Sequence, residues 1–371
     1  MKLTREALIE RDLKRNVWTV MGLPFDATTE ADTAQHLIDA AIEDEPCFFT
    51  TPNLNFAITA MRDNTFYQSV VNSDWVVADG MPLVWVARQF GVPLPERVAG
   101  SSVFERIHMG YKDPSRPLRV VFFGGPDGVA SEAFRKIETD NSHLQVVGFY
   151  SPGFGSMDEM SSAEVIEEIN SKHADIILVA LGAKRGQEWI ERNREALNAP
   201  VISHLGAVIN FVAGTVSRAP LWIQKSGLEW LWRIWEENSL FKRYWHDGMA
   251  FLKYYFNNLR PYKKLIAEQN KRPTRGLDTS FDQTTGTLFV KGDARFNKLD
   301  KLRQQLIELV TEQRLLAIDF SGIAMFDASF TGLLQLVNKH VSPYAAEGLK
   351  LHNLSVEHQA VLRYLNLGGK F

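Results

Sequence analysis

The feature that most constrains this chain is an alternation of short apolar runs with amphipathic stretches. The runs are Val17–Met21, Cys47–Thr50, Trp75–Ala78, Arg119–Phe123, Val146–Tyr150, Ile176–Leu181 and Val201–His204. Between them lie helical patterns such as Thr29–Ile42 and Met160–Lys172. Alternation of this kind predicts an α/β fold with a mostly parallel sheet. Ligands of such sheets bind outside the carboxyl ends of the strands. The residues just after each run are therefore the first candidates for a site.

After His204 the character changes. Residues 205–260 read as helical and heavily aromatic. Residues 263–282 are polar, with Lys271, Arg272, Pro273, Arg275 and Gly276 close together, and read as a linker. A second unit follows over 283–371. Its pattern predicts strands at Thr287–Val290, Leu315–Phe320 and Leu349–Leu351, and helices at Leu299–Glu312, Phe330–His340 and Val356–Leu365. Two domains suit 371 residues. An apolar content of 45% and a charged content of 23% are those of a soluble globular chain. No apolar run reaches the length of a membrane span. A net charge of −3 argues against a nucleic-acid partner. The single cysteine, Cys47, rules out an internal disulfide framework and a cysteine-based zinc cluster, and fits a reducing cytoplasm. The charged start, Met1 to Arg15, is no secretory signal.

Several strand ends carry chemistry. Cys47–Thr50 leads into Thr51-Pro52-Asn53, where a short amide either meets a sugar or serves a turn. Trp75–Ala78 leads into Asp79-Gly80, where the carboxylate is either a general base or a helix cap. Gly124 and Gly125 open a turn whose backbone N–H groups could meet an anion, although the spacing is not G-x-G-x-x-G. That spacing removes the main support for a dinucleotide oxidoreductase. Ile176–Leu181 leads into Gly182-Ala183-Lys184-Arg185-Gly186-Gln187, whose cations and amide suit a diphosphate or form a solvated loop. Arg97, Arg218 and Arg233 sit in apolar or aromatic company, as arginines do when paired or holding an anion. The histidines show no metal-ligand spacing.

Trp222, Trp230, Trp232, Trp235 and Trp245 crowd one segment, extended by Phe241, Tyr244, Phe251, Tyr254, Tyr255 and Phe256. Lys225, Arg233, Lys242, Arg243, Lys253 and Arg260 are interleaved. Aromatics with basic residues suit a membrane–water interface. A buried helix pair or a homo-oligomer contact is the alternative.

Taken together, these segments resemble the WecG/TagA/CpsF family of bacterial glycosyltransferases over roughly residues 16–256. The resemblance rests on Ala213-Gly214, Arg218-Ala219-Pro220, Trp222, Gly227-Leu228-Glu229-Trp230, Arg233 and Arg243-Tyr244. Thr51-Pro52-Asn53 looks like a T-x-N element, Ala78-Asp79-Gly80 an A-D-G element and Arg97-Val98-Ala99-Gly100 an R-x-x-G element. The resemblance implies a Rossmann-like domain over 1–262 that moves a sugar, with inversion, from a UDP-sugar to a polyprenyl-diphosphate-linked acceptor in exopolysaccharide or surface-polymer synthesis. It implies no metal or other cofactor. Asp79 would be the base, and Thr51 and Asn53 polar contacts. Residues 222–260 would be a membrane-facing appendage, placing the protein at the inner face of the cell membrane. The leaving diphosphate needs charge stabilisation, for which Arg218, Arg233 and Arg243 are candidates. The chain departs from the pattern at Gly186 and Gln187, which stand where the family has glutamine and glutamate. It departs also at Asn210, Ser102, Asn238, Ser239 and Leu240.

The second unit resembles a STAS domain through Leu315–Phe320, Ser321, Phe326-Asp327-Ala328-Ser329 and Gly332-Leu333-Leu334. That resemblance implies protein contact or regulation, with Ser329 either phosphorylated or simply capping its helix. A catalytically weak scaffold acting through this unit is the competing reading of the whole chain.

Overall fold

The computed structural model describes residues 3–125, 128, 132, 135–137, 143–151, 155–205, 208–209, 232 and 240–371. Six strands form one parallel sheet: β3 (Cys47–Thr50), β4 (Trp75–Val76), β5 (Leu118–Gly124), β6 (Leu144–Tyr150), β7 (Ile176–Ala180) and β8 (Val201–His204). Their order is β4-β3-β8-β7-β5-β6, and every neighbouring pair is parallel. All six carboxyl ends therefore share one edge. β7, and β5 from Val120 onward, are apolar because both faces are covered. Along β5, Val120 and Phe122 point into a core with Leu37, Phe104 and Ile107, while Val121 and Phe123 point into a core with Ile166, Trp189 and Ile190. The period of two in side-chain direction sorts them.

The chain opens with a helix (Arg5–Lys14) and an antiparallel hairpin, β1 (Val17–Val20) and β2 (Leu23–Asp26). The sequence pattern did not announce β2, because Pro24 reads as a breaker. In a two-stranded ribbon it sits at an edge, where proline is tolerated. Of the residues expected as a linker, 263–269 belong to the helix Arg260–Gln269 and 278–282 form β9 (Asp278–Asp282). With β10 (Thr287–Ala294), β11 (Ala317–Phe326) and β12 (Lys350–His352) this strand makes a second sheet, ordered β12-β11-β10-β9, with β9 antiparallel. Helices Asp300–Thr311, Ala328–Val341 and Val356–Tyr364 complete this C-terminal unit.

One hydrophobic core joins the hairpin, the helices after β3 and β4 and the C-terminal unit, running from Ile9, Phe25 and Tyr67 to Phe320, Phe330 and Leu334. The helix Ala328–Val341 lies on β1 so closely that a Cβ at Gly332 would come 2.7 Å from the Val17 carbonyl oxygen. Several polar groups buried at this contact are paired. The Gln335 amide donates to Gly22 O and Tyr67 OH, 2.9 Å each, and accepts from Thr19 Oγ1 at 2.8 Å. Arg303 donates to the carbonyls of Leu13 and Arg15. Lys339 bridges Asp12 (2.7 Å) and Asp74 (3.2 Å), and His340 Nε2 lies 2.9 Å from Asp12. Burial opposes ionisation of Asp12, but Lys339, His340 and Arg15 hold its carboxyl well below the usual range.

Candidate active site at the carboxyl edge of the parallel sheet

Backbone bonding continues past the strand ends. Val77 N donates to Thr50 O (3.0 Å), Asp79 N to Pro52 O (2.9 Å) and Val98 N to Ala78 O (3.0 Å). The Thr51-Pro52-Asn53, Ala78-Asp79-Gly80 and Arg97–Gly100 segments are thereby laid side by side. Gly100 closes the group, because a Cβ there would lie 2.3 Å from Leu205 Cδ2 and 3.3 Å from Thr51 Oγ1. Thr51, Asn53, Asp79 and Arg97 are thus brought together at one end of β3 and β4. Thr51 is buried, and Asn53, Asp79 and Arg97 are half-buried.

The two readings of Asp79 separate here. The capping position of the helix Met81–Gln89 is Gly80, at φ +140°, and this helix has no side-chain cap. Asp79 therefore does not cap this helix. Asn53 does cap one, since its Oδ1 accepts from Phe56 N at 3.2 Å and starts the helix Leu54–Arg62.

Gly124 and Gly125 form a second group at the ends of β5 and β7, with φ values of +93° and +90°. Gly125 N donates to Ala180 O at 2.9 Å, and a Cβ on Gly124 would meet that oxygen at 2.8 Å. Gly182, at φ +79°, starts the helix Ala183–Asn193. The side chains after it turn elsewhere. Lys184 pairs with Asp63 at 2.6 Å, and Arg185 donates to Gly155 O at 2.6 Å. Gln187 is fully buried and donates to Thr50 Oγ1 at 2.9 Å, so its side chain packs under the edge among sheet residues. Of the two cations that suit either a diphosphate or a solvated loop, both are engaged within the protein.

Helices capped by Asn53, Gly80, Ala99 and Gly182 all begin at this edge. Their first-turn N–H groups and positive dipole ends favour an anion there. Arg218 and Arg233, the other expected sources of positive charge, lie outside the described residues. Arg243 is exposed on the helix Leu240–Tyr254, beside Tyr244, with its guanidinium 5.3 Å from that ring's centre. Among the described residues no three His, Cys, Asp or Glu side chains gather into a metal-binding group.

Two contributors were not nominated from the sequence. His204 ends β8, and a Cβ at Gly186 would lie 2.1 Å from its Cδ2. Burial lowers this imidazole to about 4, so it is neutral at pH 7. Asp247, buried on the helix Leu240–Tyr254, accepts from Asn55 Nδ2 at 3.1 and 3.2 Å. No local pattern marks these pairings, which join residues far apart in the chain. Of the aromatic segment, Phe241, Trp245, Met249, Leu252 and Phe256 are about half exposed or more and recur at spacings of three and four. They therefore share one helical face. Tyr254 is buried instead. No described helix is long and apolar enough to cross a membrane.

Comparison with known proteins bears on the same segments. Residues 18–264 match the profile of the glycosyl transferase WecG/TagA/CpsF family. An N-acetylglucosaminyldiphosphoundecaprenol N-acetyl-beta-D-mannosaminyltransferase of Bacillus spizizenii is 28% identical over 202 residues, which are 54% of this chain and 76% of that protein. Proteins of the same name from Bacillus subtilis and Staphylococcus aureus are 26% and 21% identical, over 54% and 58% of this chain and 74% and 82% of theirs. These alignments cover little more than half of the chain.

Proposed function

Because the chain belongs to the WecG/TagA/CpsF family of glycosyltransferases, we propose that it moves an N-acetylhexosamine from a UDP-sugar to a polyprenyl-diphosphate-linked sugar, in exopolysaccharide or surface-polymer synthesis. The observation that carries this reading is the placement of Asp79 beside Thr51-Pro52-Asn53 and Arg97–Gly100 at the carboxyl end of β4. The acceptor hydroxyl loses its proton to Asp79 as its oxygen attacks the anomeric carbon. The bond from that carbon to the diphosphate breaks on the opposite side, so the configuration inverts. UDP departs with the electron pair. The helix N-termini at this edge, with Arg243, Arg218 and Arg233, stabilise its charge without a metal. Thr51, Asn53 and Arg97 orient the sugars. The names of the relatives support N-acetylmannosamine as the first donor to try and a GlcNAc-diphosphate lipid as the first acceptor.

The exposed stripe of the helix Leu240–Tyr254 meets the membrane that carries the acceptor. Its rings enter the interface, while Lys242 and Lys253 meet anionic headgroups. The protein thus works at the inner membrane face. The C-terminal unit is STAS-like and serves protein contact. The rival reading, an inactive scaffold working through that unit, predicts no turnover.

A UDP-release assay with a panel of UDP-sugars and lipid-linked GlcNAc in anionic vesicles tests the reading. Release with one sugar is expected. Trp245→Ser with Phe241→Ser should weaken vesicle co-sedimentation at least fivefold and leave the fold intact. No release with any donor from a folded, vesicle-bound protein would move the function to the scaffold reading.

A further inference from the structure

We propose that Asp247 is a positioning residue, through which the aromatic helix holds the Thr51–Asn55 segment of the active site in register. The helix Leu240–Tyr254 has two faces. Its outer face carries the exposed stripe that includes Trp245 and Met249. Its inner face buries Asp247, whose two carboxylate oxygens both accept from Asn55 Nδ2. Asn55 lies two residues past Asn53, in the first turn of the helix that Asn53 caps. The pull of Asp247 therefore acts on the turn that carries Thr51 and Asn53.

The far end of the same helix is also fixed. Tyr254 OH donates to Tyr364 O at 3.2 Å, and Asn258 Nδ2 donates to Arg363 O at 3.0 Å. Those carbonyls close the last helix of the C-terminal unit, and Asn258 lies in a π-helical turn, Tyr255–Leu259. Pinned at its base, the aromatic helix acts as an arm, and the Asp247–Asn55 pair is the side-chain hydrogen-bonded contact it makes with the Leu54–Arg62 helix among the described residues. A carboxylate is an expensive group to bury for packing alone. Burial raises its pKa, opposed first by the Asn55 bond and then by Arg243, His246 and Arg62.

This inference rests on the transferase reading above, and its test separates the two. Asn55→Asp sets two carboxylates against each other. Adding Asp247→Asn restores the pair with donor and acceptor exchanged. Asn55→Asp alone should lower kcat at least tenfold, because small displacements of a positioned reactant are costly in rate. The double variant should return to within threefold of wild type, and vesicle co-sedimentation should be unchanged throughout. Amide hydrogen exchange over residues 51–56 should quicken in the single variant and slow again in the double. Asp247→Ala, read in the same assays, covers the case in which Asn55→Asp folds poorly. A harmless single variant, or a double variant as impaired as the single one, overturns the proposal. Exchange that follows the swap in a protein with no turnover upholds the contact and sinks the transferase reading instead.

Discussion

Gly186 has no side chain, and the His204 ring occupies the space one would take. Where the family pattern has glutamine, this chain has a glycine and a neighbouring imidazole. Gly186→Ala has no room to relax into and should cost about 1–3 kcal/mol in urea unfolding. The same burial makes His204 a pH-sensitive contributor. Its folded pKa is lowered to about 4, whereas the unfolded value is near 6.5. The unfolded chain therefore binds the extra proton first. The His204 contribution is complete above about pH 6.5 and is lost as pH falls toward 4, at up to ~1.4 kcal/mol per pH unit. Urea titrations at pH 7 and pH 5 should show a larger difference for wild type than for His204→Gln. Equal slopes would mean that the ring is not held neutral by the fold. At this scale, sequence nominated Asp79, Thr51, Asn53 and Gly182 because each follows an apolar run, and position after a strand is a local property. Gln187 was legible as chemistry but not as buried, because its partner, Thr50, lies on another strand. His204 and Asp247 were invisible for the same reason.

Elements were easier to read than contacts. Cys47–Thr50 and Val201–His204 are strands with the bounds their runs predict, and Val356–Leu365 is a helix to within one residue. The pattern fails where a local signal has two meanings, as at Pro24 and across the polar residues 263–282. Ser329 shows the same ambiguity. From sequence it stands at the start of a helix, where a kinase could reach it. In the fold it is fully buried, and its hydroxyl donates to Asp327, whose carboxylate caps the helix. Burial raises the Asp327 pKa, with the Ser329 bond and the cap amides opposing. Ser329→Ala should cost about 1 kcal/mol, as one lost hydrogen bond does. Ser329→Asp forces a second carboxylate into the same space and should lower Tm far more. A Tm for Ser329→Asp equal to that of wild type would show that the hydroxyl opens to solvent and revive a phosphorylation switch.

At the scale of the molecule, the C-terminal unit is not a bead on a string. It shares a core with the N-terminal hairpin, and Lys339 joins it to Asp12 and Asp74. Unfolding should therefore be a single transition, with tryptophan fluorescence and far-UV circular dichroism superimposing in urea. Two separated transitions would contradict the shared core. Lys339→Met should cost about 2 kcal/mol, because it removes charged hydrogen bonds to buried carboxylates. Asp12 adds an acid limit: its folded pKa is depressed, so its contribution is full above about pH 4 and is lost as pH falls through the lowered value. No sequence pattern shows that residues 5–26 and 328–341 belong to one core, because the contact spans the whole chain. In the proposed transfer, one carboxylate, Asp79, takes the acceptor's proton. The most direct measurement is transfer of labelled N-acetylmannosamine from its UDP donor to lipid-linked GlcNAc, compared between wild type and Asp79→Asn at equal UDP affinity. Loss of at least a thousandfold in kcat with UDP binding unchanged is the predicted result. Transfer by Asp79→Asn at the wild-type rate would contradict it.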